Sequence, residues 1–274
     1  MDISLLCDYD YFDTLRKIDR LSQRYPFAGR RQIGKSVMGK GIEALVLGAA
    51  EEYAVFIGGI HGRDNFSVGL VLTFFEELCE ALTQSGSIEG LNVARAMTGR
   101  AIIVIPCLNP DGCEIASVGK SGCPHRLLEK MNPAQGLKDF SLNARGVDVD
   151  LNFSLERQPS EPESFALAKL FKETRVRQAV IFGSGNNEII SPGGAKVPAR
   201  SNRMTEIMTA STGYTVSSNR NDRRREGFID WFTGEYFRPA YKILPKIPIE
   251  GMTESDYIKI YRELRELMML CAIM

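Results

Sequence analysis

YAVFIGGIHGRDN, residues 53–65, runs from an apolar segment through two glycines into a polar turn, and FSVGLVLTFFEELCEALTQS, residues 66–85, follows at once. The first piece has the length and β-branched content of a buried strand, and the second has the pattern of a long apolar helix. A further apolar run at 101–108, AIIVIPCL, again reads as a strand. Strand, helix and strand in that order predict a βαβ unit, and hence an α/β fold whose mainly parallel sheet is covered on both faces.

The alternation extends in both directions. A helix is expected over residues 9–24 and a strand over 43–48. Farther along, Ser160 and Glu163 form an S-x-x-E capping box ahead of the helix ESFALAKLFKET (163–174), and QAVIFG (178–183) reads as another buried strand. A second box, Thr253 to Asp256, opens a final helix whose stripe of Tyr257, Ile260, Tyr261, Leu264, Met268 and Cys271 belongs in the core. The stretches 109–160 and 184–202 are rich in Gly, Asn, Ser and Pro and read as loops leaving the C-terminal ends of strands, the edge where open α/β sheets bind ligands. There is no internal repeat, and GSGNNE (183–188) lacks the G-x-G-x-x-G spacing of a dinucleotide fold. Residues 1–274 are expected to form a single domain.

Charge narrows the function classes. Thirty-four basic and 34 acidic residues give a formal net charge of zero, which argues against a nucleic-acid partner. The run Arg223–Arg225 reads as a solvated loop, with a local anion site as the alternative. None of the six cysteines forms a C-x-x-C pair, and several sit in apolar segments as small hydrophobes, as in a reduced intracellular protein. The acidic N-terminus and the lack of any apolar run near the roughly 18 residues of a membrane span point to the cytoplasm and away from a membrane.

By spacing alone, His61 and Asp64 form only an H-x-x-D pair, in which Asp64 would serve as a helix N-cap and His61 as a hydrogen-bonded turn residue. The wider sequence says more. IGGIHGRDN (57–65) resembles the GGIHGRE or GGIHGNE turn of the zinc carboxypeptidases. YDYFDTLRKIDRLSQRYP (9–26), GKSVMGKGIEALVLG (34–48) and IPCLNPDGCE (105–114) resemble that family's opening helix, first hairpin and I-P-x-x-N-P-D-G strand end. DFSLNARGVDVDLNF (139–153), SEPESFALAKLF (160–171) and GFIDWFTGEYFRPAYKI (227–243) are similar to one branch, the bacterial γ-D-glutamyl-diamino-acid (diaminopimelate) peptidases that cut cell-wall peptides. The resemblance implies a three-layer α/β/α sandwich around a mixed, mostly parallel twisted sheet. It also implies a metallocarboxypeptidase centre with zinc on three protein ligands, an open water position, and a carboxylate general base.

Carried over residue by residue, the match is incomplete. His61 corresponds to the first ligand, and Asp64 stands where the family has Glu, its carboxylate set back by about 1.5 Å. In AVIFGSGNNEII (179–190), Gly183 occupies the position of the third ligand, a histidine. In RPAYKIL (238–244), similar to the branch's R-P-x-F-T-I-E, Leu244 occupies that of the catalytic glutamate. Within GVDVDLNF, Asp150 replaces the family's Asn and Leu151 the residue after it, so Asp150 is expected to repel a substrate carboxylate. Arg145 matches the branch and suits either an anion-binding or a loop-tying role.

Weak or absent zinc binding is therefore expected. The first reading is a catalytically impaired pseudoenzyme that binds a peptide or murein fragment in the old cleft. The alternative is a divergent active metallopeptidase, with His125, Asn186 or Glu188 completing an atypical zinc site. A third is metal-free chemistry by Cys107 or Cys113 with His61 as base. Glu235 and Glu250 are the acids nearest Leu244 in sequence; the first matches a family residue outside the chemistry, and the second lies six residues beyond Leu244.

Overall fold

The computed structural model describes residues 9–128, 137–193, 197–218, 227–248 and 252–274. Cys7, Arg223, Arg224, Arg225 and Glu250 lie outside them. In chain order the elements are α1 (Tyr11–Arg24), β1 (Gly29–Lys35), β2 (Gly41–Gly48), β3 (Tyr53–Ile57), α2 (Asn65–Gln84), the short hairpin β4 (Ser87–Ile88) and β5 (Leu91–Asn92), α3 (Val93–Ala96) and β6 (Ala101–Ile105). There follow α4 (Pro110–Val118), α5 (His125–Leu128), α6 (Pro162–Glu173), β7 (Val176–Phe182), β8 (Glu188–Ser191), α7 (Ala199–Thr212), β9 (Thr215–Ser218), α8 (Phe228–Tyr236), β10 (Ala240–Leu244) and α9 (Glu254–Ile273).

Eight strands form one mixed sheet in the order β1-β2-β6-β3-β7-β10-β8-β9. The centre, β6-β3-β7-β10, is parallel, whereas β1-β2, β2-β6 and β10-β8 are antiparallel. The expected βαβ unit is β3-α2-β6, with Tyr53 beside Ala101 and Ile57 beside Ile105.

Alternation along the strands divides the core in two. Phe56, Ile102, Val104, Val180, Phe182, Tyr241 and Ile243 pack with α1, α2, α7 and α9 on one face. Val55, Ile57, Ile103, Ile105, Ala179, Ile181 and Ala240 pack with α6 and α8 on the other. Three layers result because the central strands carry apolar residues on both sides, and each side must be covered. Helix α2 is buried along most of its length, which explains why it is apolar almost all round. No helix among the described residues is long and apolar enough to cross a membrane.

The Thr253–Asp256 capping box is present, and the α9 stripe from Tyr257 to Cys271 enters the core. The Ser160–Glu163 box is not. Helix α6 begins at Pro162, with Glu161 as an N-cap that makes no side-chain cap bond. Glu163 is fully buried, and its carboxylate instead accepts from the Val37 N–H at 3.0 Å and the Asn143 amide at 3.2 Å. A pattern of residue types does not reveal a tertiary donor that outcompetes the local one. Described parts of the two expected loops also hold regular structure. Asn109 caps α4 by accepting from the Gly112 N–H, and β8 joins the sheet antiparallel to β10.

Candidate functional site

The parallel strands β3, β7 and β10 all end at one edge of the sheet, which brings His61, Gly183 and Leu244 together. After β3 the backbone turns at Gly59, whose φ of +55° suits a residue without Cβ. Gly62 then passes so close to α4 and the following loop that a Cβ there would lie 2.4 Å from the Gly112 carbonyl and 2.5 Å from that of Phe140. The buried Asn109 amide donates to the carbonyls of Ile60 and Leu142 at 3.3 and 3.1 Å, pinning the turn from below. The two glycines and the N-P-D-G segment thus fix where His61 stands.

Asp64 ends a single 3-10 turn and precedes α2, but its side chain does not cap that helix. Its Oδ1 accepts from the N–H of Ser184 at 3.1 Å and from the Ser184 hydroxyl, while Oδ2 lies 3.2 Å from His61 Nδ1. On the other edge of the ring, Nε2 lies 3.5 Å from Asp148 Oδ1. Burial alone would lower the pKa of His61, but the bonds to Asp148 and Asp64, with the nearby charges of Asp64 and Asp150, raise it to about 10. The ring is therefore an imidazolium clamped between two carboxylates. For Asp148, burial works to raise the pKa, yet the hydrogen bond and charge of His61 and the N–H groups of Leu151 and Asp150 leave it lowered.

Asp148 is the residue that sequence reasoning passed over. Its signal was present in V-D-V-D (147–150), where two acids flank the buried Val149. His61, Asp148 and Asp150 each offer a donor atom within 4.8 Å of the others, and they are the only such His, Cys, Asp or Glu group among the described residues. His125 and Glu188, raised as replacement ligands, are not in it. Asn186 is exposed, as is His125. Cys113 directs its buried thiol to the Gly59 and His61 carbonyls, both 3.8 Å away, so it faces the backbone rather than the imidazole; Cys107 is buried too.

The expectation that Asp150 repels a carboxylate is not met in that form. Asp150 is only 6% exposed, and its Oδ2 is ion-paired with Lys242 on β10 while Oδ1 accepts from the Phe228 N–H at 3.2 Å. Both partners depart from the patterns of the resemblance, which place Asn at 150 and Thr at 242. Two separate departures have met as one ion pair, and the carboxylate is neutralised. Leu151 is half-buried next to it. Arg145 is 54% exposed, with its guanidinium 3.5 Å from Glu161. Glu235 is exposed on α8 and helps line a surface cavity of about 340 Å³ with Trp231, Phe165 and Leu155.

The departures at Gly183 and Leu244 also meet. A Cβ on Gly183 would lie 2.9 Å from Asp64 Oδ2 and 3.2 Å from Leu244 Cδ2, and one on Gly185 only 2.6 Å from Leu244 Cβ. Leu244 thus packs over the glycines, in the space that larger residues would need. Against a three-ligand zinc centre the fit fails. His61 Nδ1 and Asp64 Oδ2 are spaced about as two ligands of one tetrahedral zinc would be, with metal–ligand distances of about 2.0–2.2 Å. The third position offers no side chain, and Asp64 is already held by Ser184.

Comparisons with known proteins agree with this fold. The γ-D-glutamyl-L-diamino acid endopeptidase 1 of Lysinibacillus sphaericus is 22% identical over 279 residues, covering 93% of this chain and 70% of the relative. The crystal structure of thrombin-activatable fibrinolysis inhibitor superposes with a TM-score of 0.74 at 14% identity, covering all of this chain and 75% of that one. Carboxypeptidase A from Helicoverpa armigera gives 0.72 at 16% identity, over 98% and 75%. Residues 14–238 match the zinc carboxypeptidase family, and the chain therefore belongs to it.

Proposed function

We propose that this chain is a pseudoenzyme of the zinc carboxypeptidase family, related to the γ-D-glutamyl-diamino-acid peptidases, which binds a peptide or murein fragment in the cleft above β3, β7 and β10 without cutting it. The observation that carries the reading is Leu244 packed over Gly183 and Gly185. One aliphatic side chain replaces the general base and occupies the room of the third ligand. An alkyl group can neither take the proton of an attacking water nor deliver it to a leaving amine, which removes about 10² to 10⁴ in rate. Arg145, half exposed on the loop that carries Asp148, is the group suited to an anionic end of the ligand, and Asp150 and Leu151 of the same loop are assigned to the substrate side. The reading takes residues 1–274 as one domain and its location as cytoplasmic.

The test is incubation with γ-D-glutamyl-diaminopimelate peptides, with binding followed by calorimetry and hydrolysis by chromatography. Saturable binding without turnover is expected. Turnover at a rate ordinary for peptidases would overturn the assignment of Leu244.

A second reading, a divergent active metallopeptidase, draws on the spacing of His61 Nδ1 and Asp64 Oδ2. It requires the protein to retain one equivalent of zinc through dialysis and to lose it on His61→Ala.

A further inference from the structure

We infer that the cavity between α6, α8 and the loop 154–159 is a binding site for a free amino acid with a large apolar side chain, held at both its carboxylate and its ammonium. None of the residues that line it belongs to the cleft at the strand ends.

Two helical faces and one loop build the walls. On α6, Phe165, Ala168, Lys169 and Lys172 follow at i, i+3, i+4 and i+7 and so share one face. On α8, Trp231 and Glu235 stand one turn apart. The loop lays Leu155 against α8 at Gly234, where a Cβ would lie 2.9 Å from both leucine methyls. The absence of a side chain at 234 is what lets Leu155 sit there. The space measures about 340 Å³. Small-molecule pockets run from about 300 to 1,000 Å³, so this one is sized for a ligand no larger than a single amino acid.

The lining carries apolar, cationic and acidic groups together. Leu155 and Phe165, from separate segments, are 52% and 51% exposed and line the same space. Trp231 is only 5% exposed, and its ring packs at 4.8 Å from Phe153 and 6.0 Å from Phe228 between centroids, so that wall is formed before a ligand arrives. Arg157 and Lys172 bring positive charge, and Glu156 and Glu235 bring negative charge. Among the described residues none of these four side chains takes part in a salt bridge or a side-chain hydrogen bond. Lys169, the third cation, has Glu173 at 3.8 Å, with both side chains more than half exposed. Opposite charges that line one cavity without neutralising each other suit a ligand bearing both signs. A plain anion would face the two glutamates, and a plain cation would face Arg157 and Lys172. A zwitterion uses all four. Its carboxylate is assigned to Arg157 and Lys172, its ammonium to Glu156 and Glu235, and its side chain to Leu155, Phe165 and Trp231.

Trp231 is the only tryptophan of the chain, so its fluorescence reports on this cavity. The full chain is titrated with L-phenylalanine while emission and heat are followed together. The comparison probes are 3-phenylpropionate, which lacks the ammonium, phenethylamine, which lacks the carboxylate, and glycine, which lacks the apolar side chain. One equivalent of phenylalanine is expected to bind and to change the Trp231 emission saturably. Each one-charge analogue should bind about fivefold more weakly, the upper end for loss of a solvent-exposed charge pair, and glycine should give no response. Arg157→Gln with Lys172→Gln should weaken phenylalanine by a similar factor without weakening phenethylamine. Glu156→Gln with Glu235→Gln should weaken it without weakening 3-phenylpropionate. All four residues are exposed, so the variants should fold, which circular dichroism checks. No saturable response to phenylalanine, equal affinity for either one-charge analogue, or unchanged affinity in either double variant overturns the inference. Heat of binding with the Trp231 emission unaltered places the ligand elsewhere and overturns it as well.

Discussion

The protonation of His61 gives the most direct physical test of the site. Its ring lies 3.2 Å from Asp64 and 3.5 Å from Asp148, and the two carboxylates carry its pKa from an ordinary 6.5 to about 10 against the opposing effect of burial. That gap corresponds to about 5 kcal/mol at 1.36 kcal/mol per pKa unit, a ceiling because the side chain is 19% exposed and solvent screens part of it; about 2–3 kcal/mol is the working figure. The folded-state pKa is raised, so this stabilisation is complete below about 6.5 and is lost as pH rises through about 10. Zinc needs a neutral nitrogen, so at pH 7 it must displace a proton at a cost of about 10³ in apparent affinity. Long-range ¹H–¹⁵N spectra of the imidazole across pH 6 to 11 measure the ring directly. A doubly protonated ring is expected through pH 8, with Asp64→Asn and Asp148→Asn each lowering its titration midpoint. A neutral ring at pH 7, or a midpoint near 6.5 in the parent protein, would refute the clamp and with it the electrostatic argument against zinc.

Substitutions at four positions probe the packing around the site. Gly62→Ala places a Cβ about 2.4 Å from a backbone carbonyl that cannot step aside, and should cost about 3 kcal/mol or more in urea unfolding. Asn109→Ala removes the α4 cap and leaves the Ile60 and Leu142 carbonyls without their donor, for an expected loss of about 2–4 kcal/mol; a change under 1 kcal/mol would show that the turn does not depend on it. Gly183→His should destabilise by about 1–3 kcal/mol through contact with Asp64 and Leu244, and part of that loss should be recovered on adding Leu244→Ala. Strict additivity of the last pair would show that Leu244 does not fill the space above Gly183.

Much of the architecture was legible from local pattern. Apolar runs of strand length alternating with helical stripes are sufficient for a layered α/β fold, because each strand and each stripe has only one way to bury its faces. The α9 capping box was readable for the same reason, since Thr253 and Asp256 meet within one turn of chain. The equivalent pattern at Ser160 misled because the better donors for Glu163, the Val37 N–H and the Asn143 amide, come from segments far away in sequence.

Taken alone, the sequence determined the family, the strand-end placement of His61, and the residue types at 64, 183 and 244. These follow from local motifs and their order along the chain. Only the tertiary structure decided what those residues do to one another. Leu244 closes over Gly183 and Gly185, Lys242 neutralises Asp150, and Asp148 takes the second edge of His61. Each of these pairs joins segments about 60 to 90 residues apart, and their energies depend on distance and burial, which are set when the sheet brings its strand ends together.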